Sequence, residues 1–328
     1  MKGKSIPFAS QEKGSLNILS SRERYALKTP LVLVIFNRPD TTRRVFEEIR
    51  RARPPLLLVV ADGPRKDHPS DREQCLKARD VADQVDWDCE VRRNYAETNL
   101  GCRRRVSSGL DWVFEQVEEA IILEDDCLPD PTFFRFCEEL LERYRRDERI
   151  GQISGTNFQF GRKRTEYSYY FSRYYQAWGW ASWRRAWKNY DVDMKLWPQI
   201  RDGRWLRDWL GRQTFVPYWK YILEKVYRHR IDTWDYQWFF HCWIQNRLAI
   251  VPEVNLVMNI GFDEGATHTA GWSKFKKIKT DPMVFPLIHP PYVVRRPEAD
   301  QFVEVDKHLV KVALFNRVLY GLKGLFGM

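Results

Sequence analysis

Three uninterrupted apolar segments constrain the fold of this 328-residue chain more than any other feature of its sequence. They are LVLVIF at residues 31–36, LLLVVA at 56–61 and AIIL at 120–123. Because their apolar residues do not alternate with polar ones, each segment is typical of a strand covered on both faces. Stretches with helical spacing separate them. This alternation predicts an α/β fold with a mostly parallel sheet flanked by helices.

The remaining segments supply further predicted elements. Asp40 or Thr41 is expected to cap a first helix, a second helix is expected near residues 71–85, and residues 102–117 are expected to form a third. Residues 89–95 and 150–154 are predicted strands, and Asp130 followed by Pro131 predicts a helix start. From residue 167 to 272 the chain is rich in Trp, Tyr and Arg, and we expect helices and loops laid over one end of the sheet.

Charge and composition narrow the class of partner. The chain has 54 Lys and Arg against 44 Asp and Glu, a net charge of +10, which favours anionic partners such as nucleotide phosphates or anionic lipid. No nucleic-acid-binding motif accompanies this excess, so a nucleic-acid partner is not expected. Aromatic residues make up 15% of the chain, more than packing usually requires, and such residues often line sugar or base sites.

Cysteine usage and hydropathy bear on location. The six cysteines show no zinc spacing, and no apolar stretch reaches the ~18 residues that a membrane span requires. The sequence therefore predicts reduced thiols and a cytoplasmic protein. The C-terminal stretch mixes apolar residues with Lys311, Arg317 and Lys323. Two interpretations stay open for it: peripheral contact with the inner face of an anionic membrane, and docking on the body of the protein.

Three consecutive acids, Glu124, Asp125 and Asp126, directly follow the third apolar segment. Adjacent carboxylates repel one another unless a cation offsets their charge. Mg²⁺ or Mn²⁺ does this with few protein ligands, completing its shell with water and substrate phosphates. Ligands of open α/β sheets bind at the carboxyl ends of the strands, where the segments NRPD, ADGP and EDDC also lie. The acids therefore predict a metal and diphosphate site, and the alternative is a solvated loop in which one acid caps a turn.

A series of motifs in chain order carries a family resemblance. A first strand ends in FNR, a second ends in ADG, and a helix leads into EDDCLPDPTFF; YYQAWGWASW, TWDYQW, IVPEVN and EGATHT follow. This series resembles glycosyltransferases of the GT-A fold, a Rossmann-like fold, and specifically the N-acetylglucosaminyltransferase I type. The resemblance covers most of the chain and is closest to bacterial cytoplasmic relatives. It implies metal-dependent, inverting transfer of a sugar from a nucleotide-diphosphate sugar, a UDP-sugar, to a hydroxyl of a glycan, lipid-linked or protein acceptor.

The resemblance also implies a donor site. Asp126 would hold Mn²⁺ or Mg²⁺ with support from Glu124 and Asp125, and Arg38 would contact the nucleotide. Asp62 would hold the base or ribose, and Arg103 would lie on the phosphate side. Each assignment has a structural alternative. Arg38 and Asp62 can be solvated turn residues, and at least one of the three arginines at residues 103–105 is expected to face water.

The acceptor side is assigned in the same way. Asp235 is expected to act as the general base for the acceptor hydroxyl, with Asp232 in reserve. In the structural alternative Asp232 caps the helix that begins there and Asp235 lies in its first turn. Trp180, like its neighbour Trp178, is expected either to stack on a sugar or to belong to the core. His268 is expected to close over the diphosphate or ligate the metal, although a lone loop histidine usually does neither.

These assignments fit one GT-A domain with extensions. Residues 1–28 are predicted to be a polar tail, 29–275 the glycosyltransferase domain and 276–328 a C-terminal extension with an amphipathic helix. Within the domain, 29–155 would bind the nucleotide and 156–275 would form the acceptor and lid half. Two other functions stay open: a sugar-nucleotide pyrophosphorylase-like nucleotidyltransferase, and a non-catalytic, membrane-associated protein that binds a sugar nucleotide. NRPD lacks the Gly-rich basic signature that the first would normally show.

Overall fold

The structure is a computed structural model that describes residues 26–211, 215–262 and 278–304. The helices are α1 Pro39–Ala52, α2 Asp71–Ala82, α3 Gly101–Gln116, α4 Thr132–Arg143, α5 Arg184–Trp187, α6 Trp197–Ile200, α7 Trp205–Leu210, α8 Val216–Tyr227, α9 Asp235–Ile244 and α10 Pro297–Val303. The strands are β1 Leu31–Ile35, β2 Leu56–Ala61, β3 Glu90–Tyr95, β4 Glu119–Glu124, β5 Cys127–Pro129, β6 Ile150–Ser154, β7 Tyr169–Ser172, β8 Trp180–Trp183, β9 Leu248–Pro252 and β10 Val257–Asn259. No helix among these residues is long and apolar enough to cross a membrane.

A central sheet organises the described residues. Its strand order is β3-β2-β1-β4-β8-β6-β9-β7, and only β8 and β7 run antiparallel to their neighbours. The three apolar segments form β1, β2 and β4, which are buried almost throughout because helices cover both faces. The predicted α/β fold, a mostly parallel sheet flanked by helices, is confirmed.

Local sequence explains how the helices begin and pack. Pro39 opens α1, where its fixed φ suits the first turn, and Val45, Phe46 and Ile49 form the buried stripe of this helix. The helix after the acids begins at Thr132, one residue beyond the predicted Pro131. Asp130 still acts as its cap, because its carboxylate accepts a hydrogen bond of 2.9 Å from the amide of Thr132.

The aromatic region contradicts one prediction. Residues 167–272 were expected to form helices and loops over the sheet, yet they supply β7, β8 and β9 to the sheet itself. In β8, Trp180 is fully buried and its ring stacks on Trp234 with centroids 5.4 Å apart. Trp187 and Trp238 extend the same cluster, and their ring centroids lie 5.1 Å apart. Much of the aromatic excess is therefore core, and the boundary predicted between residues 155 and 156 falls inside the sheet.

A short antiparallel ribbon sets the position of the acids. After Glu124 the chain turns into β5, which pairs with β10. The amide of Ile260, just past β10, donates to the carbonyl of Asp126 at 2.8 Å. The end of β4 is thus tied to the segment that follows β10, and the two sides of the site are built from distant parts of the chain.

Candidate functional site

One cavity of about 420 Å³ opens at the carboxyl ends of β1, β2 and β4. Residues from the loops after all three strands line it, as expected for a ligand site of an open α/β sheet. They include Arg38 after β1, Asp62 after β2, and Glu124, Asp125 and Asp126 at the end of β4. The structure therefore brings together five of the residues that sequence analysis assigned to the donor site, and we call this cavity the cleft.

The three acids lie in surroundings that oppose their ionisation. Burial, then the charges of Asp126 and Asp125, raise the pKa of Glu124 well above its ordinary value. Burial and the charge of Asp126 likewise raise the pKa of Asp125 to about 7, although its Oδ2 accepts a hydrogen bond of 3.0 Å from the amide of Phe36. A cation placed beside these carboxylates would relieve the repulsion between them.

Arg38 supplies one cation to the cleft. Its Nη1 donates to Oδ2 of Asp126 at 2.8 Å and lies 3.9 Å from Oδ1 of Asp125. The side chain of Arg38 is 27% exposed and that of Asp126 is 14% exposed. Burial lowers the pKa of Arg38, but the neighbouring carboxylates outweigh this effect and raise it above the usual value. Arg38 is therefore charged, and the pair is open to the cleft on one side.

Two carboxylates cap α3 where it begins at the cleft. Asp62 accepts hydrogen bonds from the amides of Gly63, Leu100 and Gly101 and from the side chain of Asn99, at 2.8–3.1 Å. Asp232 accepts from the amides of Cys102 and Arg103 at 3.0 Å each. Asp232 was expected to cap the helix beginning near Asp235, and this is wrong: it caps α3, whose partial positive charge favours an anion. The resulting hydrogen bonds tie the loop before α9 to the cleft.

The arginines of α3 differ from the sequence prediction. Arg103 was assigned to the phosphate side, but its buried guanidinium donates to the carbonyls of Val192 and Val226 and pairs with Asp193 at 3.0 Å. It does not line the cleft. Arg104 faces water, as expected for one of the three.

Arg105 is the arginine of α3 that lines the cleft, and sequence analysis missed it. Its Nη2 donates to the carbonyl and side-chain oxygens of Asn94 at 2.7 Å each. Arg65, after β2, also lines the cleft and was missed. Its guanidinium donates two hydrogen bonds, of 2.6 and 3.0 Å, to the carboxylate of Asp71. The only sequence signal for Arg65 was its position just after the ADGP strand end.

The tryptophan assignment is also corrected. Trp180 lies in β8 and is 0% exposed, so it offers no face to a ligand. Trp178, two residues earlier, lines the cleft and packs edge-on against Phe262 with centroids 5.7 Å apart. The two residues point differently because Gly179 between them adopts a positive φ of 61° and turns the chain. His268 lies outside the described residues.

Asp235 begins α9, close to the cleft but not among its lining residues. Its Oδ1 accepts hydrogen bonds from the hydroxyl of Thr233 and, at 2.9 Å, from the amide of Tyr236. Its charge contributes to the raised pKa of Glu124, which places it on the acidic side of the cleft. The first-turn position expected from sequence is confirmed, and Thr233 fixes the orientation of the carboxylate.

The acids of the cleft offer oxygen ligands to a divalent cation. Among the described residues, no three His, Cys, Asp or Glu side chains converge as a complete metal site. Hard carboxylate oxygens at the end of β4 instead suit an ion such as Mg²⁺ or Mn²⁺, which binds through one or two carboxylates plus substrate phosphates. The residues present fit a cation that shares its shell with a diphosphate ligand.

Comparisons with known proteins give distant likenesses. No model of a protein family matches the chain, and neither does any curated protein. Similar solved structures include mouse xyloside xylosyltransferase 1 in its apo form, at 12% identity over 65% of this chain and 80% of that one, with a TM-score of 0.32. A cytidylyltransferase from Leptospira borgpetersenii serovar Hardjo-bovis gives 14% identity over 61% and 73%, with a TM-score of 0.30. The 4-diphosphocytidyl-2C-methyl-D-erythritol synthase from Anaerococcus prevotii gives 10% over 48% and 72%, also with a TM-score of 0.30. Likenesses this distant carry no function, so the activity is inferred from the cleft itself.

Proposed function

We propose that this protein is a glycosyltransferase of the N-acetylglucosaminyltransferase I type that transfers a sugar, with inversion, from a UDP-sugar to an acceptor hydroxyl. The observation that carries the proposal is the composition of the cleft. Arg38, Asp62 and the three acids at residues 124–126 meet at the carboxyl edge of the parallel strands. This combination of cations for phosphate and carboxylates for a bridging metal suits a nucleoside diphosphate better than a neutral ligand.

Different residues of the cleft bind different parts of the donor. Asp126 and Glu124 would hold the divalent cation, which offsets charge on the departing diphosphate when it is bound. Arg38 supports the phosphates through charged hydrogen bonds. Asp62 fixes the loop at residues 99–101 through three of its hydrogen bonds, so its part is to shape the ribose and base pocket. Trp178 presents the aromatic face on which a sugar ring stacks.

Asp235 is the proposed general base. An alcohol is a poor nucleophile until its proton is removed as it attacks, and a carboxylate at hydrogen-bond distance accepts that proton. Thr233 and Tyr236 donate hydrogen bonds to Oδ1 of Asp235, and no described residue donates one to Oδ2, which can therefore face the acceptor. Attack from the face opposite the diphosphate inverts the anomeric carbon. The acceptor is a hydroxyl of a glycan, a lipid-linked saccharide or a protein.

A thermal-shift screen of nucleotide sugars with and without Mn²⁺ tests the donor assignment. A ligand at a hundredfold its dissociation constant stabilises a protein by about 2.7 kcal/mol. We expect stabilisation by a UDP-sugar that requires the metal, followed by metal-dependent release of UDP. Formation of a sugar nucleotide from a sugar phosphate and UTP would instead identify a pyrophosphorylase. Binding without any turnover would identify a non-catalytic protein.

A further inference from the structure

The arginines of the cleft differ in how their guanidinium groups are occupied. Arg65 is committed to Asp71 through two short bonds, and Arg105 is committed to Asn94. Arg38 touches the acids of the site through Nη1 alone, and no described residue accepts a hydrogen bond from its Nε or Nη2. Arg38 is therefore the cleft arginine that contacts two of the three acids and also has donors to offer a ligand.

The place that Arg38 occupies is also the place where a metal is expected. Its Nη1 lies 2.8 Å from Oδ2 of Asp126, which is hydrogen-bond distance to the carboxylate assigned to the cation. A divalent ion bound to that oxygen would lie within a few ångströms of the guanidinium, and two cations repel strongly at that separation. Arg38 and the metal therefore compete for Asp126.

The chain is shaped around this ion pair. A Cβ atom added to Gly261 would lie 2.8 Å from Cβ of Asp126 and 2.9 Å from Nη1 of Arg38. Only a residue without a side chain allows the segment after β10 to pass so close to the pair. The pair is thus packed into the wall of the cleft, and its contact with Gly261 holds the guanidinium beside Asp126.

We propose that Arg38 is the resident counter-ion of the acidic triplet, and that it exchanges Asp126 for the donor diphosphate when the divalent cation arrives. This rests on the proposed function. The exchange makes metal and donor binding mutually dependent. Without nucleotide, the metal must displace a paired cation; with nucleotide, the displaced guanidinium gains phosphate oxygens as new partners. A positively charged side chain here weakens binding of the metal alone and strengthens binding of the nucleotide.

The test measures two affinities on the full chain. Mn²⁺ binding without nucleotide is followed by the electron paramagnetic resonance signal of free Mn²⁺, and UDP binding at saturating Mn²⁺ is followed by calorimetry. In Arg38→Gln, we expect Mn²⁺ alone to bind roughly ten- to hundredfold more tightly and UDP to bind more weakly by a similar factor, the usual size for a charged hydrogen bond. A merely structural role would weaken both.

Two variants control for charge and shape. Arg44→Gln removes the same charge from an exposed residue of α1 that does not line the cleft. Both affinities should stay within about twofold of the parent, because solvent and salt screen an exposed charge. Arg38→Lys keeps the charge, so its Mn²⁺ affinity should stay closer to the parent than to Arg38→Gln. Unchanged or weaker Mn²⁺ binding by Arg38→Gln, or identical behaviour of the Lys and Gln variants, overturns the exchange. Failure of every protein, the parent included, to bind UDP would overturn the proposed function instead.

Discussion

At the scale of single residues, the acids at the end of β4 show why a local motif is informative about a site. Their sequence position alone placed them in the cleft, because the carboxyl ends of β1, β2 and β4 must meet at one edge. Burial and mutual repulsion then raise the pKa of Glu124 and Asp125, and perturbed pKa values of this kind cluster at functional sites. Asp126 and Asp235 are the two residues whose roles are most directly testable.

Asp126→Ala should abolish the effect of Mn²⁺ on donor binding while the protein stays folded. The substitution removes the carboxylate that the cation shares with the diphosphate, and it cuts no hydrogen bond of the sheet. Titration of a UDP-sugar with and without Mn²⁺ measures the effect, and circular dichroism checks the fold. Asp40→Ala serves as the control: the side chain of Asp40 is 96% exposed on α1, so its removal should leave the Mn²⁺ effect as in the parent. A full Mn²⁺ response in Asp126→Ala would contradict the metal assignment.

Asp235→Asn should separate chemistry from binding. Asparagine keeps the side-chain oxygen that Thr233 and the amide of Tyr236 donate to, but it cannot take a proton. Donor and metal affinity should stay near normal while transfer falls by about 10²–10⁴, the usual contribution of general-base catalysis. Parallel assays of transfer and of donor binding distinguish the outcomes. Near-normal turnover would leave Asp235 a helix-start residue only, and a matching loss of donor binding would make it a donor ligand.

At the scale of elements, the N-terminus of α3 joins the two sides of the cleft. Asp62 arrives from the end of β2 and Asp232 from the loop before α9, and both satisfy amides that the helix cannot pair itself. The helix start is therefore neutralised by the protein's own carboxylates, so under the proposed function Arg38 rather than the helix amides would bind the phosphates. Asp232 helps to position Asp235, because the loop that it anchors leads directly into Asp235 at the start of α9.

Asp232→Ala should lower the free energy of unfolding by about 1 kcal/mol, the usual effect of removing a helix cap. Asp232→Asn should lower it by less, because the asparagine oxygen keeps one of the two amide hydrogen bonds, while its NH₂ group replaces the oxygen that accepts the other. Urea denaturation of both variants measures this difference. Transfer by the Ala variant should also fall, since the loop bearing Asp235 loses its anchor. An Ala variant as stable as the parent would show that the two hydrogen bonds contribute nothing.

At the scale of the whole molecule, the buried aromatic core gives the fold a pH-dependent stability. His241 is buried, stacks on Trp238 with centroids 5.4 Å apart and shares the carbonyl of Ala186 with Arg247. Burial is the main cause that lowers its pKa to about 4, against an ordinary value of 6.5. The unfolded chain therefore binds a proton at a higher pH than the folded protein does.

This difference gives stability that is complete above pH 6.5 and is lost as the pH falls toward 4. The lowered pKa corresponds to about 3 kcal/mol at most. Urea denaturation between pH 7 and pH 4 should show this decline in the parent and a shallower one in His241→Gln. The exposed His68→Gln serves as the matched control and should follow the parent. A slope in His241→Gln as steep as that of the parent would assign the decline to other groups.

The sequence predicted those parts of the molecule that depend on nearby residues. Unbroken apolar runs identified β1, β2 and β4, and the acids after β4 identified the edge where the cleft lies. The sequence could not show whether Arg103 or Arg105 lines the cleft, because positions two residues apart on a helix face different ways. Arg103 points away from the cleft because it packs against the body of the protein, where it donates to the carbonyl of Val192. The same holds for Trp178 and Trp180, whose directions depend on the positive φ of Gly179.

The antiparallel insertion of β8 has a consequence for how the chain is made. When residues up to 155 have left the ribosome, β4 and β6 both exist as sequence, but the strand that belongs between them has not yet been synthesised. The nascent sheet then ends in the bare backbone edge of β4, right beside the future cleft, and bare edges invite pairing with other chains. Pairing of this edge of β4, and escape from aggregation during synthesis, therefore await the arrival of residues 180–183.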